Sequence, residues 1–348
     1  MDNSAERPIL AVDLGGTQIR AALVTSDRSV HCRRAIPTAD EEGVNAVIGR
    51  IVDVVARVRS EAASDSLPEP IGIGISSPGP LDPWRGVVRL APNLSGWKDV
   101  LLAPRVAEEL GLPAFLERDT NVAVMGEWRY GAAKGTRDAI YITVSTGIGG
   151  GVIVDGRPLI GPDGTAGEVG HMTVELDGPR CGCGGIGHVE AIASGTALAR
   201  EGQVLLGRSP DTPLARLAAN GAEVDAELVA RAAALGDAGS AALLERAWQA
   251  VGALCASLVN LLDPEVIVIG GSIAEHHPRL FEVVRLELQR RAFPILRDRV
   301  RIEPAALGGD VSLIGSLPIV NDRIGDPAYA AGSQPPSTAA PQQGAPLS

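Results

Sequence analysis

The chain has 348 residues, a formal charge of −11, and a composition that is 45% hydrophobic, 21% charged and 3% aromatic. This length suits two globular domains. The acidic balance and scarce aromatics argue against a nucleic-acid partner, because phosphate backbones attract basic surfaces and unpaired bases stack on aromatic ones. No secretory signal or apolar run long enough for a membrane span is present, so we expect no membrane partner. The four cysteines, Cys32, Cys181, Cys183 and Cys255, form no disulfide pattern, which favours the cytoplasm.

The predicted elements alternate between strands and helices, and two stretches repeat the same pattern. Residues 9–24 and residues 140–154 each predict a β-hairpin built around a glycine turn. This repetition indicates two related lobes of α/β type. In chain order the other predictions are a helix at 44–59, a strand at 71–76, a helix near 100–110, a short strand near Phe115, helices at 223–235 and 240–262, a strand at 266–271 and a helix from about 278 to 292.

We expect the lobes to divide the chain near residue 118. The small lobe takes residues 8–118, with 310–322 returning to it, and the large lobe takes 119–309. Residues 324–348 are rich in Pro, Ala, Gly and Gln, a composition that cannot build a core, so we expect a disordered tail there.

Three glycine-rich turns are candidate phosphate-binding loops. Glycines let backbone N–H groups approach a phosphate closely, and the acid of the first turn is a suitable ligand for Mg²⁺ through water. Each turn alone is also consistent with a plain structural turn. The three together, at the ends of α/β strands, favour nucleotide binding. They are DLGGT at 13–17, STGIGGG at 145–151 and GGS at 270–272.

Asp119 follows the short strand at the predicted start of a helix. An aspartate there is commonly a helix cap and nothing more. Beside nucleotide-binding loops it is also placed to accept a proton from an alcohol, which phosphoryl transfer to a hydroxyl requires. Asp119 is therefore the candidate general base.

The segments GEVGH at 167–171 and CGCGGIGHVE at 181–190 predict a metal site. His171, Cys181, Cys183 and His188 form a set of four nitrogen and sulfur ligands suited to tetrahedral Zn²⁺, which leaves no open coordination position. A structural zinc is therefore expected. Glu168 and Glu190 flank these ligands and are suited to accept hydrogen bonds from sugar hydroxyls.

These motifs, together with SPGP at 77–80, RDTN at 118–121 and LGGDVSLIGS at 307–316, resemble the ROK family of repressors, open reading frames and sugar kinases. Within that family the chain resembles the zinc-containing glucokinases, over about residues 8–320. The resemblance implies an actin-like ATPase fold, related to ribonuclease H, with two lobes and a cleft. It also implies ATP-dependent phosphorylation of the 6-hydroxyl of glucose, with ATP, Mg²⁺ and a structural Zn²⁺, and a homodimer.

The resemblance implies a role for each matching residue. Asp119 is similar to the catalytic base, and Gly79, Glu168, His171 and Glu190 are similar to sugar-binding residues. The residues similar to ATP–Mg²⁺ contacts are Asp13, Gly15, Gly16, Thr17, Thr146, Gly147 and Gly271.

Two departures from the family pattern stand out. Where the family has an asparagine that resembles a sugar ligand, this chain has Arg118, which leaves open which hexose is bound. The charge of Arg118 would lower the pKa of a nearby Asp119. His188 replaces a cysteine of the zinc loop and remains a good ligand.

Alternative functions follow from the same residues. N-acetylglucosamine, N-acetylmannosamine, mannose and fructose are alternative substrates. A repressor of this family would need an N-terminal DNA-binding segment, for which the sequence before the first hairpin is too short. A sugar sensor without catalysis is disfavoured by the retained Asp13, Thr17 and Asp119.

Overall fold

A computed structural model describes residues 6–91, 93–208, 211–219 and 221–329. The chain divides into two compact units. The first holds residues up to 126, residues 159–166 and the described residues from 309 onward, and the second holds residues 127–158 and 167–308.

The first unit is built on a five-stranded sheet and a small three-stranded one. Its strands are β1 (Ile9–Leu14), β2 (Gln18–Val24), β3 (Val30–Pro37), β4 (Ile73–Ser77), β5 (Leu81–Asp82), β6 (Val87–Leu90), β7 (Lys98–Leu101) and β8 (Ala114–Arg118). The large sheet has the order β3-β2-β1-β4-β8, and the small sheet has the order β5-β6-β7. In the large sheet β1 pairs antiparallel with β2 and parallel with β4.

The second unit repeats this topology in a sheet with the order β11-β10-β9-β12-β13. Here β9 pairs antiparallel with β10 and parallel with β12. The two predicted hairpins therefore form, and each occupies the same place in its own sheet. The strands are β9 (Ala139–Val144), β10 (Ile148–Val154), β11 (Arg157–Pro158), β12 (Val266–Gly270) and β13 (Arg301–Pro304).

Twelve α-helices complete the described part of the chain. They are α1 (Val44–Ser64), α2 (Leu102–Leu110), α3 (Asp119–Tyr130), α4 (Glu190–Ala193), α5 (Gly195–Arg208), α6 (Pro213–Ala218), α7 (Ala226–Ala234), α8 (Ala238–Leu262), α9 (Ser272–His276), α10 (Pro278–Arg291), α11 (Pro294–Arg297) and α12 (Val311–Arg323). No described helix is both long and apolar enough to cross a bilayer.

Each unit has its own hydrophobic core, which follows from the periodicity of its elements. On α1 the buried side chains recur at helical spacing and pack with the buried faces of β1 and β2. In the second unit α8 packs its buried side chains with those of β9 and β12, around the fully enclosed Trp248. The α/β fold expected from the sequence is confirmed.

The division of the chain differs from the expected one in two places. The first unit continues through residue 126, so the first turns of α3 belong to it, and it also takes residues 159–166. A Cβ at Gly164 would lie 2.3 Å from the carbonyl oxygen of Leu81, so this segment packs against β5 where only glycine fits. Packing of this kind between distant segments leaves no local signal in the sequence.

The expected disordered tail lies mostly outside the described residues. Its described part, residues 324–329, contains a turn of 3₁₀-helix at Pro327–Tyr329. The guanidinium of Arg323 lies 4.4 Å above the Tyr329 ring, a contact between a cation and an aromatic face. Tyr329 is therefore packed against the end of α12, which the composition of the segment did not indicate.

Helix α12 packs against α3 so closely that Gly315 has no room for a side chain. A Cβ there would lie 2.1 Å from the carbonyl oxygen of Val122, a backbone atom that cannot move aside cheaply. We predict that Gly315→Ala lowers the free energy of unfolding by about 2 kcal/mol or more, as overpacking does. Chemical denaturation monitored by circular dichroism measures the change.

Gly49→Ala is the matched control, because Gly49 is inside α1 with nothing within 4 Å of its Cβ position. There alanine should stabilise the protein by about 0.5–1 kcal/mol through helix propensity. Equal effects of the two substitutions would contradict the packing argument.

Candidate functional site

The DLGGT turn joins β1 to β2 in the first unit. Asp13 lies opposite Arg20 in the hairpin, and the Arg20 guanidinium donates to Asp13 Oδ2 at 2.6 and 3.0 Å. The turn is also held by Thr38, the residue after β3. Thr38 is fully buried, its N–H donates to Thr17 O at 2.9 Å, and its hydroxyl donates to Gly15 O at 2.7 Å. The turn is therefore fixed from two sides.

Asp119 is the first residue of α3, directly after the end of β8. Its side chain is exposed, and its Oδ1 accepts the N–H of Thr120 at 2.7 Å. This bond fixes the carboxylate at the start of the helix. The expected position at a strand–helix junction is confirmed.

A buried network of hydrogen bonds supports the segment that carries the candidate base. Glu117 is 1% exposed, and its carboxylate accepts the N–H of Arg118 at 2.8 Å and the amide of Asn121 at 2.9 Å. The other carboxylate oxygen accepts from Arg323 of α12, which also donates to Leu116 O at 3.0 Å. Because both charged groups are buried, the ion pair and its hydrogen bonds must stay intact for this junction to keep its shape.

Arg118 uses its guanidinium for contacts inside the first unit. It donates to Ala166 O at 2.6 Å and to Asn121 Oδ1 at 3.3 Å. Its aliphatic part lies 3.4 Å from the Cβ position of Gly79. Arg118 therefore holds the segment 159–166 and the SPGP turn next to the candidate base, a role that the sequence did not reveal.

Two of the predicted phosphate loops lie together in the second unit. The hydroxyls of Ser145 and Ser272 are 2.9 Å apart, which joins the loop after β9 to the loop after β12. Gly271 has a φ of +94°, and a Cβ there would lie 2.6 Å from Val144 O, so glycine is required for this approach. The N-terminus of α5 completes the group, since Gly195 N donates to Ser145 O at 2.8 Å.

A cavity of about 890 Å³ opens beside these loops. One face of α7 lines it with small alanines and with Glu227 and Arg231, one turn apart. Opposite are His276 and His277. Burial, with the neighbouring His276 charge, lowers the pKa of His277, whose ring is tilted against that of Trp248 with the centroids 5.4 Å apart. This volume accommodates a nucleoside. None of the residues on α5 and α7 was identified from the sequence, because their helical periodicity shows only which face meets the core.

The predicted metal ligands are brought together in the second unit. One ligand atom from each of His171, Cys181, Cys183 and His188 lies within 4.8 Å of all the others. Cys181 Sγ is 3.6 Å from His171 Nδ1, and Cys183 Sγ is 3.3 Å from His188 Nδ1. Ligand atoms on a tetrahedral Zn²⁺, with bonds of about 2.0–2.3 Å, are about 3.3–3.8 Å apart, so the donor set fits this metal.

Glu190 connects the metal cluster to the glycine loop. Its Oε2 accepts the N–H of Ile148 at 3.0 Å and would lie 2.9 Å from a Cβ at Gly147. Its Oε1 lies 3.7 Å from Cys181 Sγ. Burial, followed by smaller contributions that include the Glu190 charge, raises the pKa of the Cys181 thiol. Glu168 is exposed and precedes the short turn that carries His171.

The predicted site residues fall into two groups. In the first unit are Asp13, Gly15, Gly16, Thr17, Gly79, Arg118 and Asp119, and in the second are Thr146, Gly147, Glu168, His171, Cys181, Cys183, His188, Glu190 and Gly271. Within the second unit the metal cluster and one glycine loop meet through Glu190. The sequence treated these as separate motifs.

Known proteins resemble this chain over nearly its whole described length. The ROK family model matches residues 9–323, and the chain belongs to this family. It is 33% identical over 317 residues to the glucokinase of Thermotoga maritima, covering 91% of this chain and 98% of that one. It is 33% identical over 256 residues to the xylose repressor of Bacillus spizizenii, covering 74% of this chain and 62% of that one.

A solved structure agrees with the fold. The ROK glucokinase of Streptomyces griseus, in complex with glucose and AMPPNP, superposes with a TM-score of 0.77 at 30% identity, covering 90% of this chain and 99% of that one. The family resemblance and the actin-like fold expected from the sequence are both confirmed.

The Glu117–Arg323 pair yields a stability prediction. Arg323→Met leaves a buried carboxylate oxygen without its cation, so we expect a loss of about 3–5 kcal/mol in the free energy of unfolding. Adding Glu117→Gln removes that charge while keeping an acceptor for Arg118 N–H and the Asn121 amide. The double variant should therefore be more stable than Arg323→Met alone, and additive losses in denaturant titrations would contradict the pairing.

Proposed function

We propose that the chain transfers the terminal phosphoryl group of ATP to the 6-hydroxyl of glucose. The glucokinase relative and the glucokinase structure with glucose and AMPPNP support the reaction class. The single observation that carries the mechanism is the exposed Asp119 carboxylate, fixed at the start of α3 by Thr120 N–H and supported by the buried Glu117 network.

In the proposed mechanism Asp119 accepts the proton of the attacking hydroxyl, which makes the oxygen a better nucleophile as it approaches the γ-phosphorus. Backbone N–H groups of Gly16 and Gly147 neutralise developing phosphate charge without reorganising, while the N–H of Gly15 donates to Gln18 O at 3.0 Å and closes the turn. Asp13 would hold Mg²⁺ through water, and the ion would supply further charge neutralisation. Arg20 keeps one Asp13 oxygen in place for that contact.

The other assigned residues act on the sugar and the nucleotide. Glu168, His171, Glu190 and Arg118 are proposed as hydrogen-bonding partners of the sugar hydroxyls, and Gly79 is proposed to lie against the sugar. Thr146 and Gly271 are proposed as nucleotide contacts, and the cavity beside them takes the nucleoside. Because Arg118 already donates to Ala166 O and Asn121 Oδ1, its contribution to sugar choice includes holding the pocket wall.

We also propose that His171, Cys181, Cys183 and His188 bind one structural Zn²⁺. All four ligand positions are protein atoms, so the metal stiffens the loop and takes no part in the chemistry. The homodimer stays a prediction.

The base assignment predicts the effect of Asp119→Asn. Asparagine keeps the oxygen that accepts Thr120 N–H, so the fold is preserved, but it cannot accept the hydroxyl proton. We expect kcat to fall by at least about two orders of magnitude. A coupled assay with ATP·Mg²⁺ over glucose and the alternative hexoses measures both the loss and the preferred sugar.

Glu108→Gln on α2 is the control for this experiment, because it neutralises another exposed carboxylate of the first unit and should leave kcat unchanged. Calorimetric measurement of glucose binding to the Asp119→Asn variant distinguishes a defect in the chemical step from a defect in binding. Turnover close to that of the unaltered protein would remove Asp119 from the role of base.

The metal assignment predicts about one equivalent of zinc in the purified protein. Cys183→Ser should lower that content and raise the KM for glucose before it affects the KM for ATP, because the loop carries the proposed sugar ligands. Cys255→Ala, which changes a cysteine of α8 outside the potential metal-binding groups, should leave the zinc content unaltered. A metal-free protein with full activity would refute this assignment.

A further inference from the structure

A second charged cavity lies in the first unit, away from the residues assigned above. It measures about 660 Å³ and is lined by residues of β3 and α1. Four arginines, one aspartate and one glutamate are among its lining residues, in a chain whose formal charge is −11. Its lining is Arg33, Arg34, Ala35, Ile36, Pro37, Ala39, Glu42, Arg50, Asp53, Val54 and Arg57.

Arg34, Arg50 and Arg57 lie on the side of the cavity that α1 forms, whereas Arg33, adjacent to Arg34 on β3, projects from the other face of the strand and pairs with Asp310. Arg50 and Arg57 are seven residues apart on α1, which places them on the same face two turns apart. Arg33 and Arg34 are on β3, the edge strand of the sheet. Guanidinium groups bind phosphate through paired N–H donors, so several of them around one cavity favour a phosphate ligand.

The existing ion pairs of these arginines do not prevent such binding. Arg33 pairs with Asp310, Arg34 with Glu61 and Arg50 with Glu42. All of these side chains are between 24% and 55% exposed, and ion pairs with this much exposure to water are weak. A phosphate that accepts from several guanidiniums can therefore replace them.

Arg57 can bind a ligand in the cavity without first giving up an existing ion pair. No described residue forms a hydrogen bond or ion pair with it, and its side chain is exposed. Ile36, Pro37 and Val54 add an apolar surface beside the charges, which suits a ligand with a carbon body attached to its phosphate.

The cavity is connected to the DLGGT turn through Arg50. Its guanidinium donates to Thr38 O at 3.3 Å and to Ala39 O at 3.4 Å. Thr38 in turn bonds Gly15 O and Thr17 O. A ligand that draws Arg50 toward itself weakens its bonds to Thr38 and Ala39, and so loosens a support of the turn.

Arg33 makes a second connection to the same turn. Its partner Asp310 lies at the start of α12, between Gly309 and Ser312, and both of these accept hydrogen bonds from Arg20, the residue that holds Asp13. Two arginines of the cavity are thus bonded to segments that position the proposed Mg²⁺ ligand and phosphate turn.

We propose that this cavity is a regulatory binding site for a small phosphate monoester, and that its occupation weakens nucleotide binding at the DLGGT turn. The binding site stands independently of the catalytic assignment, whereas the regulatory effect rests on the proposed function. By linkage, the ligand and the nucleotide must weaken each other by the same factor.

The test is calorimetric titration of the full chain with glucose 6-phosphate and, separately, with inorganic phosphate, in the presence of saturating glucose to fill the proposed sugar site. We expect glucose 6-phosphate to bind with a Kd below about 1 mM. Tighter binding of glucose 6-phosphate than of phosphate indicates a monoester site, and equal binding would overturn the monoester assignment in favour of free phosphate.

Arg57→Glu is the decisive variant, because Arg57 is exposed and unpaired among the described residues, so the fold does not depend on it. It should weaken binding at least about tenfold, and the double variant Arg34→Ala/Arg57→Ala should do the same. Arg105→Ala, on α2 and outside the cavity, is the matched control and should bind as the unaltered protein does. Unchanged affinity in Arg57→Glu and in the double variant would place the binding elsewhere and overturn the proposal.

The regulatory effect is measured in the kinase assay. Glucose 6-phosphate should raise the KM for ATP at least about fivefold in the unaltered protein and in Arg105→Ala, and much less in Arg57→Glu. If the rise in the KM for ATP persists in Arg57→Glu, it reflects product inhibition at the active site and contradicts coupling between the cavity and the nucleotide site. If the protein has no kinase activity but binds glucose 6-phosphate in a way that depends on Arg57, the proposed function is refuted and the binding site remains supported.

Discussion

The candidate base depends on one buried carboxylate. Glu117 lies near the end of β8 inside the first unit, where no water competes for its oxygens, so it must satisfy them with Arg323, Arg118 N–H and the Asn121 amide. These partners come from α12, from the last residue of β8 and from the start of α3. A single side chain therefore fixes where the strand stops, where α3 begins and how α12 packs, and Asp119 gains its position from all three.

The same unit shows why glycine is needed beyond the turns that the motifs suggested. Gly315 lets α12 approach the α3 backbone, and Gly164 lets the segment 159–166 lie on β5. In both places the obstacle to a Cβ is a backbone carbonyl, which cannot rotate away as a side chain can. The many glycines of the chain thus serve close packing between distant segments as well as phosphate loops, and the composition alone does not separate the two uses.

The sequence predicted what depends on local pattern and missed what depends on packing. The two hairpins, the helix α1 and the strand β12 were all indicated by alternation or helical spacing. The four candidate metal ligands, which the structure brings together, were identified because His and Cys at that spacing are typical of a zinc site. The segment 159–166, the role of Arg118 and the cavity lined by α7 were not found. Each depends on which distant surface a residue meets, and a single sequence carries no record of that.

Glu190 shows how a structural metal could matter to a reaction in which it has no part. The carboxylate holds Ile148 N–H of the glycine loop with one oxygen and lies near Cys181 with the other. Its own position depends on the loop 181–190, which is rich in glycine and has little core to order it. A loop of this kind loses much conformational entropy on folding. A metal bound by three side chains of this loop and by His171 would offset that cost, so the geometry of the phosphate loop would then depend on an ion that never touches the phosphate.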